Sequence, residues 1–119
     1  MPFQVLITPT PMFAIADVWG DVSLMSTLQL ISTIAEDSRL HKYPRVLINF
    51  LDADGALGEE ERRLAGEAAA QNLKHLDRVA TVVRRNVITG TTEASAVQHG
   101  LSMRTFDTIG EAVRWLSAA

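Results

Sequence analysis

Residues 45–73, RVLINFLDADGALGEEERRLAGEAAAQNL, contain the pattern that decides the fold class. The opening RVLINFL is an apolar run of strand length, typical of a strand buried on both faces of a parallel sheet. Parallel strands need helical crossovers, and residues 58–73 supply one that opens with acidic residues, which suit the positive end of a helix dipole. Its inward face is predicted to consist of Leu64, Ala65, Ala68 and Leu73. This stretch predicts one strand–helix unit of an α/β domain.

The sequence on either side continues the alternation of strands and helices. Two β-type runs, residues 3–8 and 12–19, are separated by a short PTP connection that favours antiparallel pairing. The later elements are predicted as a helix capped by Ser23 and ending near Arg39, strand 45–51, helix 58–73, strand 78–83, helix 91–99, strand 102–106 and a final helix with a Thr108/Glu111 capping box. The predicted order is ββαβαβαβα in one domain over residues 1–119, with a mostly parallel sheet and an N-terminal antiparallel pair.

Composition excludes several functional classes. The chain has no cysteine, and its three histidines fall in separate predicted loops, so we predict no disulfide, no metal site and no cofactor. A net charge of −3 argues against nucleic-acid binding. No basic residue precedes Arg39 and no apolar run approaches the roughly 20 residues of a membrane span, so we expect a cytoplasmic protein without an integral membrane segment.

Four segments carry a resemblance to a known family: FAIADVWGDVS, RVLINF, RVATVV and the ending MRTFDTIGEAVRWL. Together with the element order, they resemble the SpoIIAA-like family, relatives of the STAS domain. The ending is the most specific part, because a short strand closes on Phe106 and a capped helix carries Ala112, Trp115 and Leu116. The resemblance implies a β-α superhelical sandwich in a small bacterial protein without established catalysis. For some members, binding of lipid-like or other small apolar ligands has been proposed.

One alternative is a STAS-type antagonist of an anti-sigma factor. A resemblance to that group would imply a serine that is phosphorylated as a switch. It would lie within an Asp-Ser pair, in the loop that opens the second helix. The nearest counterpart here is Asp52-Ala53, and residues 51–80 contain neither serine nor threonine. Antagonism would therefore operate without the phosphoserine switch.

A second alternative is a phosphatase that uses the Asp-x-Asp-Gly-x-Leu stretch after the central strand. Asp52, Asp54 and Gly55 match the first motif of haloacid-dehalogenase-type phosphatases, which use Mg²⁺, but Ala56 replaces the usual threonine and no later Asp-Asp pair completes a magnesium site. The simpler interpretation is that Asp52 and Asp54 turn the chain and cap the next helix, with Gly55 adopting an unusual backbone angle. We therefore predict no enzymatic activity.

Polar candidates for ligand binding fall at the carboxyl edge of the sheet, where α/β proteins bind ligands. Besides Asp52 and Asp54, the candidates are Arg84, Arg85, Thr91 and Thr92. The threonines begin a helix whose free N–H groups, with a nearby arginine, could hold a carboxylate or phosphate headgroup. The commoner interpretation is that the threonines are N-caps and the arginines pair with aspartates.

Aromatic candidates are Phe13, Trp19 and Trp115. Phe13 and Trp19 share one face of the second strand and could line an apolar cavity or a dimer surface. Trp115 lies on a flank of the final helix, which could act as a lid over a ligand. The commoner interpretations are core packing for Phe13 and Trp19 and a partly buried wedge for Trp115. The combined prediction is a non-enzymatic domain that binds a small apolar or amphipathic molecule, or a protein partner, and forms a homo-oligomer.

Overall fold

The predicted order of strands and helices is confirmed in a computed structural model that describes residues 2–119. The strands are β1 (Gln4–Pro9), β2 (Ala14–Asp21), β3 (Arg45–Asp54), β4 (Arg78–Val82) and β5 (Met103–Phe106). The helices are α1 (Leu24–His41), α2 (Glu59–Leu73), α3 (Thr91–Gln98) and α4 (Ile109–Ser117), and a 3₁₀ turn covers Arg85–Val87.

The five strands form one sheet in the order β1-β2-β3-β4-β5. β1 pairs antiparallel with β2, and each later neighbour is parallel, as predicted. Because each parallel strand is added on the same side of the last, right-handed crossovers place α1, α2 and α3 on one face of the sheet. α4 follows the last strand and packs on the opposite face, where Leu47 and Val82 meet Ala112 and Leu116 in a separate core cluster.

The central strand is longer than predicted. β3 continues to Asp54 because β2 continues alongside it, and the paired residues are Trp19 with Asp52 and Asp21 with Asp54. The prediction that the two aspartates cap α2 is therefore wrong. The N-cap of α2 is Gly58, whose N–H donates to the Glu61 carboxylate over 3.0 Å. Gly55 does adopt a left-handed backbone, with φ of 84°.

The predicted cap of α1 is confirmed, whereas the predicted inward face of α2 is only partly correct. Ser23 caps α1 as predicted and accepts the Ser26 N–H over 3.0 Å. Leu64, predicted to face inward from α2, is 36% exposed, and the buried residues of that helix are Ala65, Gly66, Ala69, Ala70 and Leu73. Small residues allow helices to approach more closely than leucine does. The alanine and glycine face of α2 is therefore buried, and Leu64 remains at the surface.

Gly66 is the point where α2 meets α3. A Cβ atom added there would overlap the Thr92 carbonyl oxygen and lie 2.7 Å from the Ser95 Cβ. Gly66→Ala should therefore lower the free energy of unfolding by about 1–3 kcal/mol, although alanine favours helix formation. Urea denaturation of the purified variant measures this loss.

Gly110 provides the matched control. It lies in the first turn of α4, where an added Cβ meets nothing within 4 Å. Gly110→Ala should raise the free energy of unfolding by a few tenths to about 1 kcal/mol. Equal stabilisation by both substitutions would show that α2 and α3 are not in this close contact.

Candidate functional site

A cavity of about 140 Å³ lies between the sheet and the layer of α1, α2 and α3. Its inner walls are apolar and include Leu30, Ile48, Phe50, Leu73, Val79 and Met103. It extends to the carboxyl ends of β3, β4 and β5, where the segments after these strands begin. This is the edge at which α/β sheets bind ligands.

Small side chains leave the space for this cavity. α2 directs Ala65 and Ala69 towards it, and β3 contributes Ala53. All three alanines are at most 4% exposed, so they are core residues that nevertheless fail to fill the gap between helix and sheet. The apolar atoms that line this space lack partners for dispersion contacts on that side, which favours an apolar occupant.

Hydroxyl groups interrupt the apolar walls. The Thr81 hydroxyl donates to the Thr105 hydroxyl over 3.1 Å, and both residues line the cavity. Thr27 also lines it, and its buried hydroxyl makes no hydrogen bond within residues 2–119. Buried polar groups usually have a partner, so the cavity offers hydrogen-bonding capacity as well as apolar surface.

Charged residues stand at the mouth of the cavity. Arg84 Nη1 donates to the Ala53 carbonyl oxygen over 2.9 Å, which holds the guanidinium across the ends of β3 and β4. Arg62 Nη1 lies 2.9 Å from Glu59 Oε1, and its side chain is only 16% exposed. The third charged lining residue is Glu93, whose Oε1 accepts the Thr105 N–H over 2.6 Å. Two guanidinium groups and one carboxylate therefore line this cavity.

The predicted polar candidates separate into two groups. Arg84 and Thr92 line the cavity, and the neighbouring Thr91 hydroxyl donates to Glu59 Oε2 over 2.6 Å. That hydrogen bond, followed by the one from Arg62, holds the pKa of Glu59 below its usual value. Arg85 instead points to solvent, with its side chain 87% exposed and its Nε 2.9 Å from Asp107 Oδ2.

The simpler roles predicted for these residues were pairing of the arginines with aspartates and N-capping by the threonines, and only one of the four residues has its predicted role. Arg85 pairs with an aspartate, as expected, but Arg84 contacts a backbone carbonyl. The interpretation of Thr91 and Thr92 as N-caps is wrong, because the N-cap of α3 is Gly90 in a left-handed conformation. Glycine reaches that backbone angle without strain, which leaves both threonine side chains available for other contacts.

Asp52 and Asp54 lie on β3 and face away from the cavity. Ala53 lies between them and lines the cavity, and side chains alternate between the two faces of a strand. Both carboxylates are exposed. Within residues 2–119, no three His, Cys, Asp or Glu side chains come together as a metal site requires.

The aromatic candidates all lie on the α4 face of the sheet. Phe13 is 7% exposed in the α4 core cluster, and Trp19 Nε1 donates to Gln4 Oε1 over 2.8 Å. The Trp115 ring lies 5.9 Å from the Phe106 ring and 5.4 Å from the Arg78 guanidinium carbon. Because α4 and the cavity are on opposite faces, the expectation that α4 forms a lid over a ligand is wrong for this cavity.

The sequence did not single out the apolar loop residues at the mouth. Leu57 and Ile88 both line the cavity, and Ile88 is 40% exposed. Each stands beside a glycine-containing turn, in ALG and in VITG. The available sequence signal was an apolar residue in a predicted loop at the carboxyl edge of the sheet.

Three solved structures are similar to this chain over nearly its whole length. A crystal structure of an anti-sigma factor antagonist from Mycobacterium paratuberculosis has 15% identity, covers 98% of this chain and 96% of its own, and gives a TM-score of 0.64. An uncharacterized protein with a SpoIIAA-like fold from Shewanella loihica has 16% identity, with 96% and 93% covered and a TM-score of 0.60. The unphosphorylated anti-sigma factor antagonist SpoIIAA has 14% identity, with 99% and 100% covered and a TM-score of 0.59.

The chain has the SpoIIAA-like fold. No protein-family model matches the sequence, and no curated protein matches it. The resemblance found in the sequence is thus confirmed at the level of the fold. None of the helices within residues 2–119 of this SpoIIAA-like domain has the length and apolar character needed to cross a membrane.

Truncation of the two strand aspartates tests whether they contribute to the SpoIIAA-like domain beyond their surface position. Asp52→Ala and Asp54→Ala should each change the free energy of unfolding by less than about 1 kcal/mol, since both carboxylates are exposed. Asp17→Ala is the matched control, because Asp17 accepts the Asn49 amide over 2.9 Å and its loss should cost about 1–2 kcal/mol. Micromolar binding of Mg²⁺ that is abolished by Asp52→Ala or Asp54→Ala would contradict the assignment of these two aspartates as plain surface residues.

Proposed function

We propose that this protein is a non-enzymatic binding domain that takes a small apolar or amphipathic molecule into the cavity beneath α2 and α3. The observation that carries the proposal is the cavity itself, with about 140 Å³ of space and apolar inner walls. Apolar pockets with a few polar groups at defined positions are the usual form of small-molecule sites. The sequence candidates Arg84 and Thr92 belong to this site, and Thr91 stands at its rim.

The volume limits the size of the buried part of the ligand. An apolar protein cavity of roughly 150 Å³ accommodates benzene, so about six carbon atoms fit here. Burial at about 0.8 kcal/mol per methylene gives about 4–5 kcal/mol for such a group. This corresponds to a Kd of about 1 mM for a six-carbon probe, and a natural ligand gains further affinity from groups that bind at the mouth.

The engagement of the polar groups supports binding rather than catalysis. The Glu93 carboxylate accepts a backbone N–H, and the Thr81 hydroxyl donates to Thr105. Glu59 is held by Thr91 and Arg62, which favours its ionised form. Each of these side chains keeps further acceptor positions, but the hydrogen bonds anchor it within the fold, which suits the fixed wall of a binding site.

A second candidate function is antagonism of an anti-sigma factor. It is supported by the fold likeness to the antagonist from Mycobacterium paratuberculosis and to SpoIIAA. Because residues 51–80 lack serine and threonine, such a protein would bind its partner without a phosphoserine switch in that segment. Calorimetric titration against an anti-sigma factor tests this second function. The homo-oligomer predicted from the sequence stays a proposal, and native mass spectrometry tests it.

Filling the cavity should abolish uptake of an apolar probe. Ala65 is 2% exposed and lines the cavity, so Ala65→Leu places three further carbon atoms in it. Benzene should shift the methyl resonances of Val79 and Met103 in the wild-type protein and leave them unchanged in this variant. Methyl-detected NMR titration measures both.

Two further variants make the result interpretable. Ala94→Leu makes the same change at an exposed site of α3 and should leave benzene binding intact. Ala65→Val fills less of the space and should weaken binding even if the leucine variant folds poorly. The proposal fails if benzene leaves the wild-type methyl resonances unchanged, or if Ala94→Leu lowers the affinity as much as Ala65→Leu.

A further inference from the structure

We infer that the ligand carries a carboxylate, and that Arg84 binds this group at the mouth while a chain of about six carbons occupies the cavity. The inference rests on the proposed function, since it assigns the chemical class of the molecule that enters the same site. It depends on three features: the charges that line the cavity, the way each charge is engaged, and the position of Arg84 relative to the apolar walls.

One of the lining charges is available to an anion. The charged residues of the wall are Arg62, Arg84 and Glu93. The Arg62 charge is balanced by Glu59, at 2.9 Å, and the Glu93 carboxylate is stabilised by the Thr105 N–H at 2.6 Å. Within residues 2–119, no carboxylate forms an ion pair with Arg84.

The geometry of Arg84 suits recognition of a planar anion. One of its N–H groups donates to the Ala53 carbonyl oxygen, which fixes the guanidinium beside a residue of the cavity wall. A guanidinium has five N–H donors, so the hydrogen bond to Ala53 leaves enough of them for a parallel pair of hydrogen bonds to a carboxylate. A flexible lysine would lack this orientation.

The arrangement of polar and apolar surface gives the ligand a direction. Leu30, Ile48 and Leu73 line the interior, whereas Arg84 is exposed at the rim. A carboxylate buried among the apolar residues would lose its hydration without compensation, but at the rim it keeps water contact and gains a cationic partner. The chain therefore enters first and the headgroup stays at the mouth.

A carboxylate fits the mouth better than a phosphate monoester. The Glu93 carboxylate, which also lines the cavity, would repel a dianion more strongly than a monoanion, and Arg84 forms no ion pair with a carboxylate of residues 2–119. Dianionic phosphate sites normally combine several donors or cations. Hexanoate is thus the appropriate probe, with hexyl phosphate, hexylamine and hexan-1-ol as comparison compounds.

The test compares two adjacent arginines by methyl NMR titration. Arg84→Gln should raise the Kd for hexanoate about three- to tenfold, the range expected for loss of one partly exposed charge-assisted contact. Arg85→Gln is the matched control, because Arg85 is paired with Asp107 and does not line the cavity, so hexanoate affinity should stay unchanged. In the wild-type protein hexanoate should bind more tightly than the other three probes.

Benzene separates failure of this inference from failure of the proposed function. If benzene binds to the wild type and to Arg84→Gln alike, while hexanoate loses affinity in Arg84→Gln alone, both proposals are supported. If benzene binds but hexanoate affinity is equal in the three proteins, or hexylamine, hexyl phosphate or hexan-1-ol binds as tightly as hexanoate, the carboxylate assignment is overturned. If benzene does not bind to the wild-type protein, the proposed function fails, and the carboxylate assignment, which rests on it, fails as well.

Discussion

The contact of α2 with α3 at Gly66 is the constraint on which the site depends. Without a side chain at this position, the Thr92 backbone and the Ser95 side chain approach the axis of α2 closely. The Ser95 hydroxyl then donates to the Arg63 carbonyl oxygen over 2.7 Å, and Thr91 donates to Glu59 over 2.6 Å. The two helices thus form one unit that spans the carboxyl edge of the sheet.

The cavity lies beside this close helix contact, on the side of α2 that faces the sheet. Ala65 and Ala69 line it there and are too short to fill the space between helix and sheet. A leucine at either position would fill that space but would also change the distance between helix and sheet. Gly66 therefore sets the contact of α2 with α3, and the neighbouring alanines leave the gap above the sheet.

Most of the fold was predictable from sequence because its signals are local. Ser23 and Thr108 cap their helices as predicted, and the alternation of apolar strands with helices gave the correct order. The sheet pairing of Asp52 and Asp54 was missed, because strand length depended on the partner strand β2. An Asp-x-Asp-Gly motif after a strand lies in a loop only if the paired strand ends at the same point along the sheet. Here β2 continues to Asp21, which pairs with Asp54, so both aspartates remain in β3.

The candidate site was predictable only in its polar part. Arg84 and Thr92 were identified because strand ends and helix starts are visible in the sequence. The aromatic candidates Trp19 and Trp115 lie on the other face of the sheet, whereas the cavity is lined by smaller residues such as Ala53 and Val79. The volume of a cavity is the space that the surrounding side chains leave unfilled. It depends on the packing distance between the helices and the sheet rather than on any single residue.

The two faces of the sheet differ in how firmly their covering elements are held. On the α4 face, Arg45 and Arg78 donate to the carbonyl oxygens of Leu116 and Trp115, both over 2.6 Å, and so fix the end of that helix. On the cavity face, residues 83–90 cover the mouth with a single 3₁₀ turn, and most of them are exposed. Segments with few buried contacts open at low free-energy cost, so we expect the part of this segment beyond the Arg84 contact with Ala53 to open more readily than the end of α4.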